Sequence, residues 1–204
     1  LLLGMRASAE SETEAIRHLI AKTGLPVVET FQGAGIISRA LEDHFFGRVG
    51  LFRNQPGDML LKRSDLVIAV GYDPIEYEAR NWNAEKDARI IVIDEVPMEI
   101  DPYMQPEVEL LGSIAKIIEQ VTQAIDQYTL SADAQNYLAT LQEKLTEKQI
   151  EARGTEQTLH PLEIIDTLQQ KVTDEMTVTV DVGSHYIWMA RHFRSYEPRH
   201  LLFS

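Results

Sequence analysis

The stretch Arg89-Ile90-Ile91-Val92-Ile93-Asp94 decides the fold. It is a short β-branched run closed by an acid, and Leu66-Val67-Ile68-Ala69-Val70-Gly71 precedes it by about one helical segment. Neither run alternates apolar with polar residues, so both read as strands buried on both faces, the habit of parallel sheets covered by helices. Where such a strand ends in Gly or Asp, α/β folds place their ligand-facing loops.

Working outward, the same grammar repeats. Leu1–Leu3 reads as a strand with Gly4-Met5-Arg6-Ala7-Ser8 as its exit loop. Ser11 and Glu14 have capping-box spacing ahead of a helix that buries Ala15, Ile16, Leu19 and Ile20 and stops at Gly24. Pro26–Glu29 reads as the next strand, followed by the glycine-rich Phe31-Gln32-Gly33-Ala34-Gly35 and a helical turn over Ser38–His44. Gly47–Gln55 reads as a loop, and Pro56 opens a helix to Arg63 in the position where its missing N–H does no harm. Val108–Leu111 is a short strand, and Ser113 caps a helix with an Ile114, Ile117, Ile118, Val121, Ile125 stripe. The alternation specifies an α/β fold: a doubly wound, parallel, Rossmann-like sheet.

The character changes near Asp126. A polar stretch follows, with one amphipathic helix expected over Ala132–Ala152 and a boundary near Gly154-Thr155-Glu156. His160-Pro161 then starts a helix to Lys171. Thr177–Val182 reads as a strand, Gly183-Ser184-His185 as a tight turn into a helix ending at His192, and Arg199–Phe203 as another strand. The expected organisation is a central Rossmann-like domain over 1–126, a linker with a long helix over 127–157, and the first βα units of a second α/β domain over 158–204. With its abrupt ends, the chain reads as a segment of a longer polypeptide.

Composition narrows the function. The 204 residues carry a formal net charge of -13, which argues against nucleic acid as a partner because phosphate binding needs a basic stripe. There is no Cys, so disulfides and thiolate chemistry are excluded. No apolar run approaches the ~20 residues of a membrane span, and no signal peptide is visible, so a cytoplasmic protein is expected. The His residues have no metal-ligand spacing.

Several residues are candidates for a site. Gly183, Ser184 and His185 follow a strand and open a helix, an arrangement that offers N–H groups to an anion, although ordinary βα turns look the same. Gln32-Gly33-Ala34-Gly35 is a G-x-G without its third glycine, weak as a nucleotide signature. Arg6 could reach a pyrophosphate or simply be solvated. Asp94 could bind a ribose hydroxyl or cap the turn at Val96-Pro97. Alone, these features support a nucleotide-binding-like α/β domain followed by the start of another.

Resemblance goes further. Gly47-Arg-Val-Gly-Leu-Phe-Arg-Asn-Gln-Pro-Gly-Asp58, Leu66–Glu78, Trp82-Asn83 and Asp181-Val-Gly-Ser-His-Tyr-Ile-Trp-Met-Ala-Arg191 together resemble the catabolic acetolactate synthases, thiamine diphosphate-dependent enzymes built from three α/β domains. The resemblance implies condensation of two pyruvates to 2-acetolactate and CO2, with thiamine diphosphate and Mg2+ as cofactors. It implies that Gly183, Ser184 and His185 contact the diphosphate, and that the parent is a homodimer or homotetramer. In the family, the glutamate that activates the cofactor belongs before Leu1 and the magnesium motif after Ser204, so no catalytic residue is expected here and the segment alone should be inactive. The anabolic relatives bind FAD in this domain through an Arg-rich segment after the strand ending at Gly71. Here that segment is Tyr72-Asp-Pro-Ile-Glu-Tyr77, acidic and proline-interrupted, so no flavin is expected. Arg53-Asn54-Gln55 would occupy the flavin-facing region. Three alternatives remain: an anabolic FAD-containing synthase, another thiamine diphosphate decarboxylase or oxidase, or a non-catalytic nucleotide-binding module.

Overall fold

The computed structural model describes residues 1–125, 128–146 and 158–204. Six parallel strands form the main sheet: β1 (Leu2–Leu3), β2 (Val27–Thr30), β3 (Phe45–Val49), β4 (Leu66–Val70), β5 (Arg89–Asp94) and β6 (Val108–Leu111). Their order is β3-β2-β1-β4-β5-β6, the order of a dinucleotide-binding sheet. β4 and β5 pair in register from Leu66↔Arg89 to Val70↔Ile93, so the two organising runs are neighbours.

Apolar layers cover both faces. On one, α1 (Glu10–Thr23) and α3 (Ile114–Ala124) bury Ile16, Leu19, Ile20, Ile114 and Ile118 against Leu3, Val27, Val70 and Ile93. On the other, α2 (Pro56–Arg63) and α4 (Ala132–Thr146) pack with Leu2, Val28, Val67, Ala69, Tyr72 and Trp82. Leu141 of α4 is buried, while Tyr137, Leu138 and Leu145 flank it. The expected continuation of α4 to Ala152, and the boundary at Gly154-Thr155-Glu156, lie outside the described residues.

A second parallel pair follows. α5 (Pro161–Lys171) leads to β7 (Val178–Val180), α6 (Ser184–His192) and β8 (Leu201–Phe203). Its core joins Ile165, Val180, Met189, Phe193 and Leu201 to Ala34 of the glycine-rich loop. Four arginines bind this unit to the main sheet. Arg17 donates to the carbonyls of Gly35, Ile36 and Tyr196, and Arg39 forms a two-pronged pair with Asp174 at 2.8 Å. Arg194 reaches Glu42, and Arg48 reaches the end of α6.

Two local expectations are corrected. Gly47–Gln55 is not all loop, because Phe45–Val49 is a strand paired with β2. Its Arg48 is buried, which an apolar pattern does not anticipate; the partner is Glu29 on the adjacent strand, 3.3 Å away. The Ser11–Glu14 capping box is absent. α1 begins at Glu10 straight from the 3-10 turn Met5–Ser8, and the Ser11 hydroxyl donates instead to Glu12.

Candidate functional site

The strand order reverses direction between β1 and β4, and a dinucleotide-binding sheet opens its crevice there. In this chain the crevice is filled by the chain itself. A Cβ on Gly4 would lie 2.4 Å from the Gly71 carbonyl oxygen, and one on Gly71 would lie 2.3 Å from the Ala7 nitrogen. Only glycine permits that approach, and Gly71 also takes a left-handed φ of 56°.

Arg6 lies across this closure. Its Nε and Nη2 donate to Asp94 at 2.9 and 2.8 Å, Nη1 to Asp73 at 2.8 Å, and Nη2 also to the Tyr72 carbonyl at 3.0 Å. The hydrogen bond to Asp94 raises the arginine's already high pKa; partial burial opposes this and Asp73 adds to it. Burial resists ionisation of Asp73, yet Arg6 holds its carboxyl below the usual range. Asp94 is fully buried, and its Oδ1 also accepts from the Glu95 N–H at 2.7 Å.

The loop after β4 completes the plug. Glu76 accepts from the Met5 N–H at 3.1 Å and from the Thr30 hydroxyl at 2.5 Å. Burial pushes its carboxyl up, and these hydrogen bonds work against the shift. The Tyr72 hydroxyl donates to the Tyr77 carbonyl, and the Tyr77 hydroxyl donates to Asp58. Asp58 closes the start of α2, where its carboxylate also accepts from the Gln55 N–H at 2.8 Å. Tyr72, Tyr77 and Trp82, which the sequence offers either as a pocket cover or as core aromatics, are buried in the core of this face. Asp73 and Glu76 carry no sequence signal as site residues, because their pairing with the β1 exit loop joins residues more than 60 positions apart.

The structure brings Arg6 and Asp94 together and leaves the other candidates apart. Gln32 is exposed. Arg53 and Asn54 are exposed, Asn54 with a left-handed φ of 59°, and Gln55 serves α2 as its capping residue. Gly35 makes room for Glu197, whose carbonyl oxygen would lie 2.0 Å from a Cβ there. A cavity of about 520 Å3 lies at the opposite edge of the sheet, among Leu25, Leu60, Leu66 and Tyr137. That is the N-terminal edge of the strands, away from the loops where such sheets bind ligands.

Gly183, Ser184 and His185 follow β7 and are all exposed; Gly183 is the N-terminal cap of α6, and Ser184 and His185 are its first two residues rather than part of a turn ahead of it. A helix start presents N–H groups without intrahelical acceptors together with the positive end of its dipole. A Cβ on Gly183 would lie 2.7 Å from the His185 ring, so the glycine leaves space that the imidazole folds into. The neighbouring Asp181 carboxylate is held by the Val182 N–H and the Ser204 hydroxyl, which keep it below its usual range.

Residues 1–121 match the family model described as thiamine pyrophosphate enzyme, central domain. The chain belongs to the thiamine pyrophosphate enzymes. Among its curated relatives, an acetolactate synthase of Bacillus subtilis is 45% identical over the whole chain, and a catabolic acetolactate synthase of Raoultella terrigena is 36% identical over the whole chain. A probable acetolactate synthase large subunit of Methanococcus aeolicus is 26% identical. The chain spans 36% of the length of each of these three proteins. In family terms the six-stranded sheet is the central domain, and the match ends within α3, ahead of the second sheet. Among the described residues, no helix is long and apolar enough to cross a membrane.

Proposed function

We propose that the chain is the central domain, the linker and the opening of the diphosphate-binding domain of an acetolactate synthase that condenses two pyruvates to 2-acetolactate and CO2. The observation that carries this reading is the 45% identity to the Bacillus subtilis acetolactate synthase, which runs through both sheets and the turn between β7 and α6. The chain divides at 126 and 157, as its composition suggests, and the parent self-associates as a homodimer or homotetramer in the cytoplasm.

The cofactor site fits on its chemistry. Gly183, Ser184 and His185 hold the diphosphate end of thiamine diphosphate against the first turn of α6, with amides, a hydroxyl and an imidazole as donors. The bound cofactor supplies the carbanion and the electron sink for decarboxylation. The chain's own contribution is to fix that turn in space. Mg2+ and the acid that activates the cofactor are ascribed to parts of the parent outside residues 1–204.

A flavin does not fit the crevice described above. Gly4 and Gly71 meet there, and Arg6, the cation placed to meet a pyrophosphate, is committed to Asp73 and Asp94. Tyr72, Asp73, Glu76 and Tyr77 occupy the position of a basic segment with acids and phenols. The sheet is read as a nucleotide fold kept for its shape, and Arg53-Asn54-Gln55 as a surface turn, exposed at Arg53 and Asn54, that leads into the cap of α2. An assay separates the parts: the complete protein should form acetolactate only with thiamine diphosphate and Mg2+, and isolated residues 1–204 should release no CO2 from pyruvate. Turnover by the isolated segment would overturn the division of labour.

A further inference from the structure

We infer that Arg48, a residue of the central sheet, is a positioning residue for the cofactor: it holds the far end of the helix whose near end carries Gly183, Ser184 and His185. The inference rests on the reading of that turn as the diphosphate site.

Arg48 lies on β3 with 3% of its surface exposed, beside Glu29 on β2. Its Nη1 donates to the carbonyls of Ala190 at 3.1 Å and Phe193 at 2.7 Å, and its Nε approaches Glu29 at 3.3 Å. Ala190 is in the last turn of α6, and Phe193 is its C-terminal cap. Helix ends leave their last carbonyls without partners and carry the negative end of the dipole, so a cation placed there answers both. The α6 helix has nine residues, about 14 Å at 1.5 Å per residue, so the turn at its other end moves with it as one rigid rod.

This is an expensive way to hold a helix. Burial is the largest influence on Arg48 and pushes it down to about 10, with Glu29 opposing, so it stays charged at neutral pH. Its Nη2 is buried with no partner among the described residues. For stability alone, a well-packed apolar pair would serve as well as a buried ion pair or better. A guanidinium does something an apolar side chain does not: Nη1 donates to both carbonyls while Nε is held at Glu29, so the end of the helix is tied to a fixed point on the sheet. Arg194, just past α6, adds a second pin, with Glu42 at 2.8 Å and its guanidinium 3.5 Å from the Phe45 ring centre. Glu29 ties the set to the sheet through its own place on β2, and its other oxygen accepts from the Ile37 N–H of the following loop at 2.9 Å. Displacements of about 1 Å at a reacting centre cost large factors in rate, so the register of α6 against β3 matters to the turn it carries.

The test uses the complete protein and two variants, Arg48→Lys and the double change Glu29→Gln with Arg48→Met. Thiamine diphosphate half-saturation, pyruvate KM, kcat at saturating cofactor and the urea midpoint are measured together. Both variants should need on the order of tenfold more thiamine diphosphate for half-saturation, as when a supporting partner of a bound group is removed. Pyruvate KM should be unchanged, and the urea midpoint of the double variant reads the structural cost separately, since Arg194 is then left with Glu42 and the carbonyls of Ala190 and Phe193 lose their donor. Wild-type half-saturation in a folded double variant would overturn the inference. If that variant does not fold, wild-type half-saturation in Arg48→Lys overturns it alone. A wild-type protein without any thiamine diphosphate dependence would instead sink the underlying reading of the turn.

Discussion

The Arg6 guanidinium and the Asp94 carboxylate meet edge to edge across the switch point of the sheet, with Nε at 2.9 Å and Nη2 at 2.8 Å. One residue leaves β1 and the other closes β5, so this pair sits over the end of the intervening β4. It occupies the place where an open dinucleotide crevice would have its mouth.

Removing Arg6 therefore costs stability. In Arg6→Ala, Asp94 stays fully buried with only the backbone N–H groups of Glu95 and Val96 left to it. Breaking one partner of a buried pair costs about 3–5 kcal/mol, and the surviving bonds reduce this to about 2–4. Urea unfolding should show the loss, and Asp94→Asn combined with Arg6→Ala should recover part of it. An unchanged midpoint in the single variant would mean that the closure is not held by this pair.

Gly35 makes a sharper prediction about how the two sheets are joined. It has a φ of 96°, and a Cβ there would sit 2.0 Å from the Glu197 carbonyl oxygen, which is backbone and cannot swing away. Gly35→Ala should cost about 2–4 kcal/mol from the left-handed conformation and overpacking together. It should also make the segment around Tyr196 more sensitive to protease. Gly24→Ala is the control: its φ is 68°, but the nearest atom is 3.8 Å away, so only the conformational cost of about 1 kcal/mol applies. Equal losses in the two variants would contradict the contact.

His192 gives the pH dependence. Burial first, then the Arg191 charge, push its imidazole from 6.5 down to about 4, and its ring stacks on Trp188 with centroids 5.6 Å apart. The folded value is below the unfolded one, so the unfolded chain binds the proton more readily. The stability that His192 contributes is complete above about pH 6.5 and is lost as pH falls toward 4. His192→Phe keeps the stacking and removes the titration. The urea midpoint of the wild type should fall relative to this variant between pH 7 and pH 4.5, and a difference that does not change with pH would refute the buried, neutral assignment.

The legible parts of the chain were those with local causes. β4, β5, α2, α5 and β6 follow from β-branched runs, a proline at a helix start and short apolar stretches, and they stand within a residue of where those signals put them. β3 was illegible because Gly47 and Arg48 interrupt it, and the buried arginine is tolerated only through Glu29, |i−j| of 19 away. Arg6 and Asp94, each open to a ligand reading and an ordinary one, pair with each other, and Asp94 also accepts from the Glu95 and Val96 N–H groups, as its turn-capping reading expects. Glycine spacing could not distinguish room for a nucleotide from room for another stretch of the same chain, and at Gly35 the occupant is Glu197. The family likeness of the Gly183-Ser184-His185 turn rests on its residues, since a helix start after a parallel strand is common to many α/β proteins.

The most direct test of the account is one preparation of the complete protein, assayed for acetolactate from pyruvate with and without thiamine diphosphate and Mg2+, with its visible spectrum recorded beforehand. The account predicts cofactor-dependent acetolactate and no flavin absorption band. A stoichiometric flavin band would contradict the closed crevice under Arg6 and Asp94, and absence of acetolactate at saturating cofactor would contradict the proposed reaction.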